Sequence, residues 1–293
     1  MSVAAPRTPG LRFAYRAYLG LFFLYLAAPL VAASIFAFND SLFPALPWKG
    51  FTLDWFFNDT EPKLGMFHDR RLLRGMGNSF MIGIAVTALS VFVGTCNAFL
   101  FERHDFPGKR FLYVLMVIPL VIPGVILGIS ILVFASMLAN QAEAWLGLDL
   151  GFLRPGTFLV ILGQFSFLTT ITTLVISARL KKFDMALEEA ALNLGASRLH
   201  VLRTVTLPFL RPALIGASLV GFLVSFENFN TTLMLVGSDA PLTITMYDRI
   251  AKVGSTPVLN AVSFFLIVGS GALALLSALA QRDKRTVAQE DMH

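Results

Sequence analysis

Apolar positions in this chain gather into six long runs parted by polar segments, at about Tyr15–Ala37, Phe80–Leu100, Phe111–Ala139, Phe158–Ser177, Ala213–Val236 and Val258–Ala280. Each run reaches the roughly 20 residues that a helix needs to cross the hydrocarbon of a bilayer. The pattern predicts an all-α integral membrane protein with six transmembrane helices, organised as a single membrane domain over residues 1–293. The first run is too long for the core of a signal peptide and lacks a small-x-small cleavage site, so it is expected to stay as a helix.

Two places depart from simple spanning helices. In "PLVIPGVILGIS" the third run carries Pro119 and Pro123. Proline removes a backbone donor and crowds the preceding turn, so a kink or break near mid-membrane is predicted. Irregular backbone at that depth is tolerated only where protein or a water-filled cavity surrounds it. Gly124 and Gly128 form a small-xxx-small pair suited to close helix approach.

The second is the polar loop of about residues 180–211, containing "EEAALNLGASRLHVLRTVTLPFLRP". Asp184 is a fitting N-cap and Glu188 and Glu189 sit near the positive end of the following helix. Leu187, Ala191 and Leu194 fall at i, i+4 and i+7, a narrow apolar stripe. Gly195 suits the left-handed position that ends a helix. Ser197 is placed to cap a second helix bearing Leu199, Leu202, Thr206 and Phe209, which Pro208 is expected to end, with Pro212 opening the fifth span. By periodicity alone the insert reads as an amphipathic connector on the headgroups or as a docking element.

Composition agrees with the membrane reading: 56% of residues are hydrophobic, 14% are charged, and mean hydropathy is +0.73. The pI near 9.6 matters through the placement of charge. With both termini inside, fifteen of the 23 Lys and Arg fall on cytoplasmic segments: Arg7, Arg12, Arg16, Arg103, Lys109, Arg110, Arg179, Lys181, Lys182, Arg198, Arg203, Arg211, Arg282, Lys284 and Arg285. The positive-inside bias therefore puts both termini in the cytoplasm, and the basic excess reports topology and not nucleic-acid binding. Exterior residues 38–78 carry Trp48, Trp55, Phe56 and Phe57 among charges, either an interfacial aromatic belt or a ledge for an exterior partner. Cys96, the single cysteine, permits no internal disulfide and is expected to pack inside the second span.

Enzyme chemistry has little to stand on. The chain has no G-x-x-x-x-G-K-[ST] phosphate loop, its four histidines are scattered without a metal-ligand spacing, and no nucleophile–base or paired-carboxylate constellation appears. No cofactor is expected in this chain. One acid draws attention: Glu227 is the only Asp or Glu placed within a span, beside Asn228, Asn230, Thr231 and Thr232 in "SFENFNTT". An ionisable group there costs at least about 2.5–3.5 kcal/mol on insertion scales, which makes it a functional candidate. Such a cluster suits an ammonium group in a cavity, and equally suits polar helix packing.

The order Glu189-Ala190-Ala191, three residues, Gly195, nine residues, Val205, one residue, Leu207-Pro208 resembles the EAA signature of bacterial ABC importer permeases, EAA-x3-G-x9-I-x-LP, with valine in place of isoleucine. The resemblance implies a type I permease fold in the bacterial inner membrane. Glu189, Ala190, Ala191 and Gly195 would then form the turn that docks a separate ATPase, with Leu207 and Pro208 setting the exit into the fifth span. It further implies two ATP-binding subunits that hold the ATP and Mg, a second homologous permease, and an exterior substrate-binding protein. From about Phe51 to Arg285 the chain is similar to spermidine/putrescine-type permeases, through "GNSF" at Gly77–Phe80, "VIPGVILGISIL" at Val121–Leu132, "ITTLVISARLKKFD" at Ile171–Asp184 and "PLTITMYDRIAKVGSTPVLNAVS" at Pro241–Ser263.

That resemblance implies a small amine-bearing solute, a polyamine such as putrescine or spermidine first. Polyamine-type permeases commonly carry two adjacent acids where this chain has Glu227-Asn228, and an acid where it has Gly124. Fewer acids suit fewer positive charges, so an amino acid, opine or aminophosphonate stands as the alternative, with ferric ion and thiamine behind. A stand-alone secondary transporter working through Glu227 is the rival class, and the two similar halves expected of many such folds are not visible here.

Overall fold

The computed structural model describes residues 9–290. Arg7 and His293, counted above among the charges and histidines, lie outside the described residues. In chain order the helices are α1 (Pro9–Phe36), α2 (Asp54–Phe57), α3 (Arg70–Arg103), α4 (Lys109–Val121), α5 (Gly124–Leu146), α6 (Thr157–Leu180), α7 (Met185–Asn193), α8 (Arg198–Val201), α9 (Leu207–Phe226), α10 (Asn230–Leu235), α11 (Leu242–Val253) and α12 (Pro257–Glu290). Among the described residues there is no strand, only an isolated bridge between Asn39 and Phe51. Among the described residues, five helical segments are long and apolar enough to cross a membrane, and Pro257–Leu273 is a shorter apolar one.

The predicted interruption of the third span falls at Pro123. Pro119 stays within α4, whereas Ile122 and Pro123 are extended and separate α4 from α5. The cause is local, because the ring of Pro123 disfavours helical backbone at the residue before it.

The fifth run differs from expectation at both ends. Pro208 does not end the second helix of the polar loop: helix continues from Arg198 to Phe226 through a π-helical turn at Leu202–Thr206, with Pro208 in the first turn of α9. The Leu207 N–H reaches back to the Leu202 carbonyl, and this widened turn makes room for a proline ring that would otherwise crowd the preceding carbonyl. At the other end, the predicted span to Val236 breaks at Glu227–Phe229 and resumes as α10.

Among the described residues, internal contacts define two units, 9–73 with 248–276, and 74–247 with 277–290. In the first, Phe38 meets Phe51, Phe56 and Phe264 at ring distances of 5.3, 5.3 and 5.0 Å. Trp55 is buried and its Nε1–H donates to the Asn39 carbonyl at 2.9 Å. The aromatics of residues 38–78 thus divide, with Trp55 and Phe56 forming core while Trp48 and Phe57 remain exposed. Asp69 caps α3 by accepting from the N–H groups of Arg71 and Leu72, and it is ion-paired with Arg249.

In the second unit α6 is the central helix, with 56% of its apolar window buried. Its apolar character is spread around the helix with no single polar face, as for a helix surrounded by others. Its hydroxyls reach outward: Thr172 donates to the Ser90 carbonyl of α3 at 2.7 Å, and Thr170 to the Met116 carbonyl of α4. Such interhelical bonds are one of the few specific forces available where lipid removes the hydrophobic drive. Two apolar clusters flank this helix, one about Val86, Leu159, Leu168 and Leu235, the other about Ala98, Ile176, Leu180 and Leu210. Cys96, expected to pack, is exposed on α3.

Candidate functional site

The polar loop folds as its caps dictate. The Asp184 carboxylate accepts from the Ala186 N–H at 3.0 Å to open α7, and Ser197 accepts from the His200 N–H at 3.3 Å to open α8. Between them Gly195 sits at φ +88°, where a Cβ would be strained, and the Leu194, Gly195 and Ala196 N–H groups close the end of α7 on the Ala190, Leu192 and Ala191 carbonyls.

This small hairpin of helices is clamped from beneath. Arg103, at the end of α3, places its guanidinium on the Glu188 carboxylate at 3.0 and 3.4 Å, and Glu188 also accepts from the Thr206 hydroxyl of the π turn. Both charged side chains are mostly buried, at 14% and 21% exposure. Arg103 further covers the ring of Phe183 at 5.1 Å, Phe183 meets Phe209 edge to face at 5.1 Å, and Arg179 stacks on Phe209 at 4.1 Å while donating to its carbonyl. Buried charge of this kind persists only when paired and hydrogen-bonded, so α7 is held in one position relative to the ends of α3, α6 and α9.

The far side of the hairpin is bare. Glu189, Ala190 and Gly195 are exposed and Ala191 is half-buried. The stripe Leu187–Ala191–Leu194 does not turn inward: Leu187 is 53% exposed and Leu194 89%. Leu207 is half-buried and Pro208 exposed at the start of α9.

A second site lies at the break between α9 and α10. Glu227 is the last, capping residue of α9, so it stands at a helix end and not inside a continuous span; its side chain is exposed and has no hydrogen bond or ion pair among the described residues. Asn228 is committed to structure, its Oδ1 accepting from the Thr232 N–H at 3.2 Å and the Thr232 hydroxyl at 2.9 Å. Asn230 is exposed, whereas Thr231 is 1% exposed and faces α5. The two interruptions converge there: a Cβ on Gly124, the first residue after the break at Pro123, would lie 3.0 Å from Thr231 Oγ1 and 3.1 Å from Asn230 Cβ. At Gly128 it would lie 2.9 Å from the Thr231 carbonyl. The glycine pair thus seats α10 directly on α5, as the small-xxx-small spacing predicts.

Residues 87–285 match the family of the binding-protein-dependent transport system inner membrane component. The chain belongs to this family. Among similar permeases, the spermidine/putrescine transport system permease protein PotC of Escherichia coli is 27% identical over 262 residues, covering 89% of this chain and 91% of that protein. The putrescine transport system permease protein PotI of the same species is 28% identical over 272 residues, with 92% and 91% covered. In fold the chain is similar to a bacterial ABC transporter involved in the import of the acidic polysaccharide alginate, with TM-score 0.70, 19% identity and coverage of 94% of this chain and 96% of that one. The alginate transporter in complex with a pentasaccharide-bound periplasmic protein gives TM-score 0.65 at 16% identity, with 94% of each chain covered.

As a permease of this family the chain is a transport component with an all-helical importer fold. Of the residues singled out by sequence, the structure gathers Glu189, Ala190 and Ala191 on the end of α7 and Gly195 just after it, all but half-buried Ala191 exposed, and sets Leu207 and Pro208 at the start of α9. Glu227, Asn228, Asn230 and Thr231 share the second break, but only Glu227 and Asn230 are open. Sequence reasoning missed the Arg103–Glu188 clamp and Gln164, a buried amide on α6 that binds both sides of the break. The first had no signal in a pair 85 residues apart. The second had one, since a glutamine inside an apolar run must find partners.

Proposed function

We propose that this chain is one permease subunit of an ATP-driven importer in the bacterial inner membrane, both termini cytoplasmic. It works beside a second homologous permease, with two ATP-binding subunits on the cytoplasmic side and a substrate-binding protein outside. ATP chemistry belongs to the ATP-binding subunits, and this chain supplies the path and the mechanical link. The observation that carries the reading is Leu194, 89% exposed on a turn whose opposite side is rigidly clamped. A polar loop that merely rested on headgroups has no need of a buried bidentate ion pair beneath it. An element that transmits force to membrane helices does. Closure of the ATPase pair would then move α7, and through Glu188 the ends of α3 and α9, as a rigid body.

The substrate is an amine-bearing solute entering between the two broken helices, with Glu227 as the group that meets its ammonium. PotC and PotI are permeases for spermidine and putrescine by name and cover most of this chain, which supports a polyamine. A specific observation keeps a singly charged or zwitterionic amine as the second reading. Among the described residues Glu227 is the one free carboxylate at the break, because Asn228 spends its oxygen on the first turn of α10 and Gly124 offers no side chain.

Reconstitution of the assembled complex tests the machine: uptake into proteoliposomes should require ATP, the ATP-binding subunits and the loaded binding protein. Uptake by this chain alone, driven by a proton gradient, would refute it. Calorimetry on the binding protein with putrescine, spermidine and monoamines of matched length then decides the solute.

A further inference from the structure

A helix broken within a membrane tends to close again, because each unsatisfied backbone group in hydrocarbon costs several kcal/mol. Something must hold the ends of α9 and α10 apart, and the structure contains one side chain placed to do so. Gln164 lies on α6, 1% exposed, with both ends of its amide committed across the gap. Its Nε2–H donates to Thr232 Oγ1 on α10 at 2.8 Å, while its Oε1 accepts from Ser225 Oγ on α9. The Thr232 hydroxyl, having accepted from Gln164, donates onward to Asn228 Oδ1 inside the break. Thr243 Oγ1, just beyond, donates to the Asn228 carbonyl at 3.2 Å, so a backbone acceptor freed by the break is also answered.

Ser225, Gln164, Thr232 and Asn228 form one continuous chain of hydrogen bonds in which each donor meets an acceptor of the next residue, and Ser225, Gln164 and Thr232 are each at or below 3% exposure. A glutamine with no task but its own satisfaction would bond one neighbour or its own helix. This one bonds neither flank of its own helix and both flanks of another's interruption. Gly163 beside it lets α10 come close enough, with Thr231 Cγ2 only 3.3 Å from where a Cβ would be.

We infer that Gln164 is a positioning residue of the translocation path: it sets the width of the α9–α10 break and thereby the place of the Glu227 carboxylate and of Asn230. The inference rests on the reading of the break as the solute path, and the experiment separates the two.

In the full complex in nanodiscs, with Cys96→Ser and Asn230→Cys, the rate of alkylation by a water-soluble maleimide reports the geometry of the break. Gln164→Met keeps the side chain's length and removes both hydrogen bonds; Thr232→Val keeps shape and removes the shared hydroxyl. Each should change the alkylation rate about tenfold, the population shift that follows loss of a hydrogen bond of ordinary net strength. The double variant should do no more than either alone, and on the Asn230 background each should lower maximal uptake while leaving the half-saturating solute concentration within about twofold. Ser225→Ala, which cuts only the α9 link, should fall between them and the parent, and it carries the test alone if Gln164→Met does not assemble. Unchanged alkylation, or additive effects in the double variant, overturns the positioning role. Changed alkylation with unchanged uptake keeps the staple but removes it from the path, and normal uptake by Glu227→Gln removes the path from the break.

Discussion

Gly195→Asp offers the sharpest trial of the proposed coupling role of this turn, because the structure separates its effect on folding from its effect on docking. The backbone at Gly195 is left-handed at φ +88°, which costs an L-residue roughly 1–2 kcal/mol, somewhat less for aspartate, whose short polar side chain tolerates the region. No heavy atom lies within 4 Å of the Cβ that would be added, so there is no steric contribution from this chain. Gly195→Ala therefore serves as the strain control, expected to cost about the same 1 kcal/mol in the loop and to leave insertion intact. Against a partner surface the two part company. A carboxylate buried without a counter-charge costs about 3–5 kcal/mol, or roughly two to three and a half decades in affinity at 1.4 kcal/mol each. Binding of the ATPase to the permease pair in nanodiscs, measured with ATP-dependent uptake, should show Ala within about tenfold of the parent and Asp at least a hundredfold weaker. Normal uptake by Gly195→Asp would refute the docking assignment. Equal losses for Asp and Ala would assign the effect to backbone strain.

Other predictions bear on the remaining parts. Glu188→Gln leaves Arg103 mostly buried beside a neutral partner and should weaken coupling by about 1.5–3 kcal/mol in the clamp, read as solute uptake per ATP hydrolysed; the double swap Arg103→Glu with Glu188→Arg should recover part of it, and no recovery would mean the pair acts by shape alone. Glu227→Gln should impair uptake strongly, whereas Glu143→Gln, which removes an exposed partner of Arg154, should change it little because surface pairs contribute about 0–1 kcal/mol; equal effects would return Glu227 to helix packing. Gly128→Ala forces a Cβ to 2.9 Å from the Thr231 carbonyl and should lower the melting temperature in detergent, at a cost of about 1–3 kcal/mol for overpacking. Gly77→Ala, with open space around it on α3, should instead stabilise by up to about 1 kcal/mol; a fall at both positions would point to general intolerance of α3 and α5.

The caps of the polar loop were legible because capping is local. Asp184 and Ser197 accept from amides two and three residues on, Gly195 takes the left-handed backbone between them, and the structure shows each where its residue type demands. The break at Pro123 was legible for the same reason, since proline constrains its immediate neighbour. The opposite held at Pro208, where the ring that should have ended a helix is absorbed by a π turn whose hydroxyl, on Thr206, is bonded to Glu188. Trp55 read as one aromatic among several at an interface, and only the Asn39 carbonyl and the surrounding rings make it core.

By itself the sequence determined the membrane character, the six apolar runs and the capped, left-handed turn at Gly195, because hydropathy, helix capping and left-handed glycine are decided within a turn or two of chain. Tertiary structure alone decided the rest: the clamp that joins Arg103 to Glu188 across 85 residues, and the staple that joins Gln164 to Thr232 across 68. A buried polar group announces that it needs a partner but not which one, and the choice is made only when helices distant in sequence are brought within about 3 Å of each other.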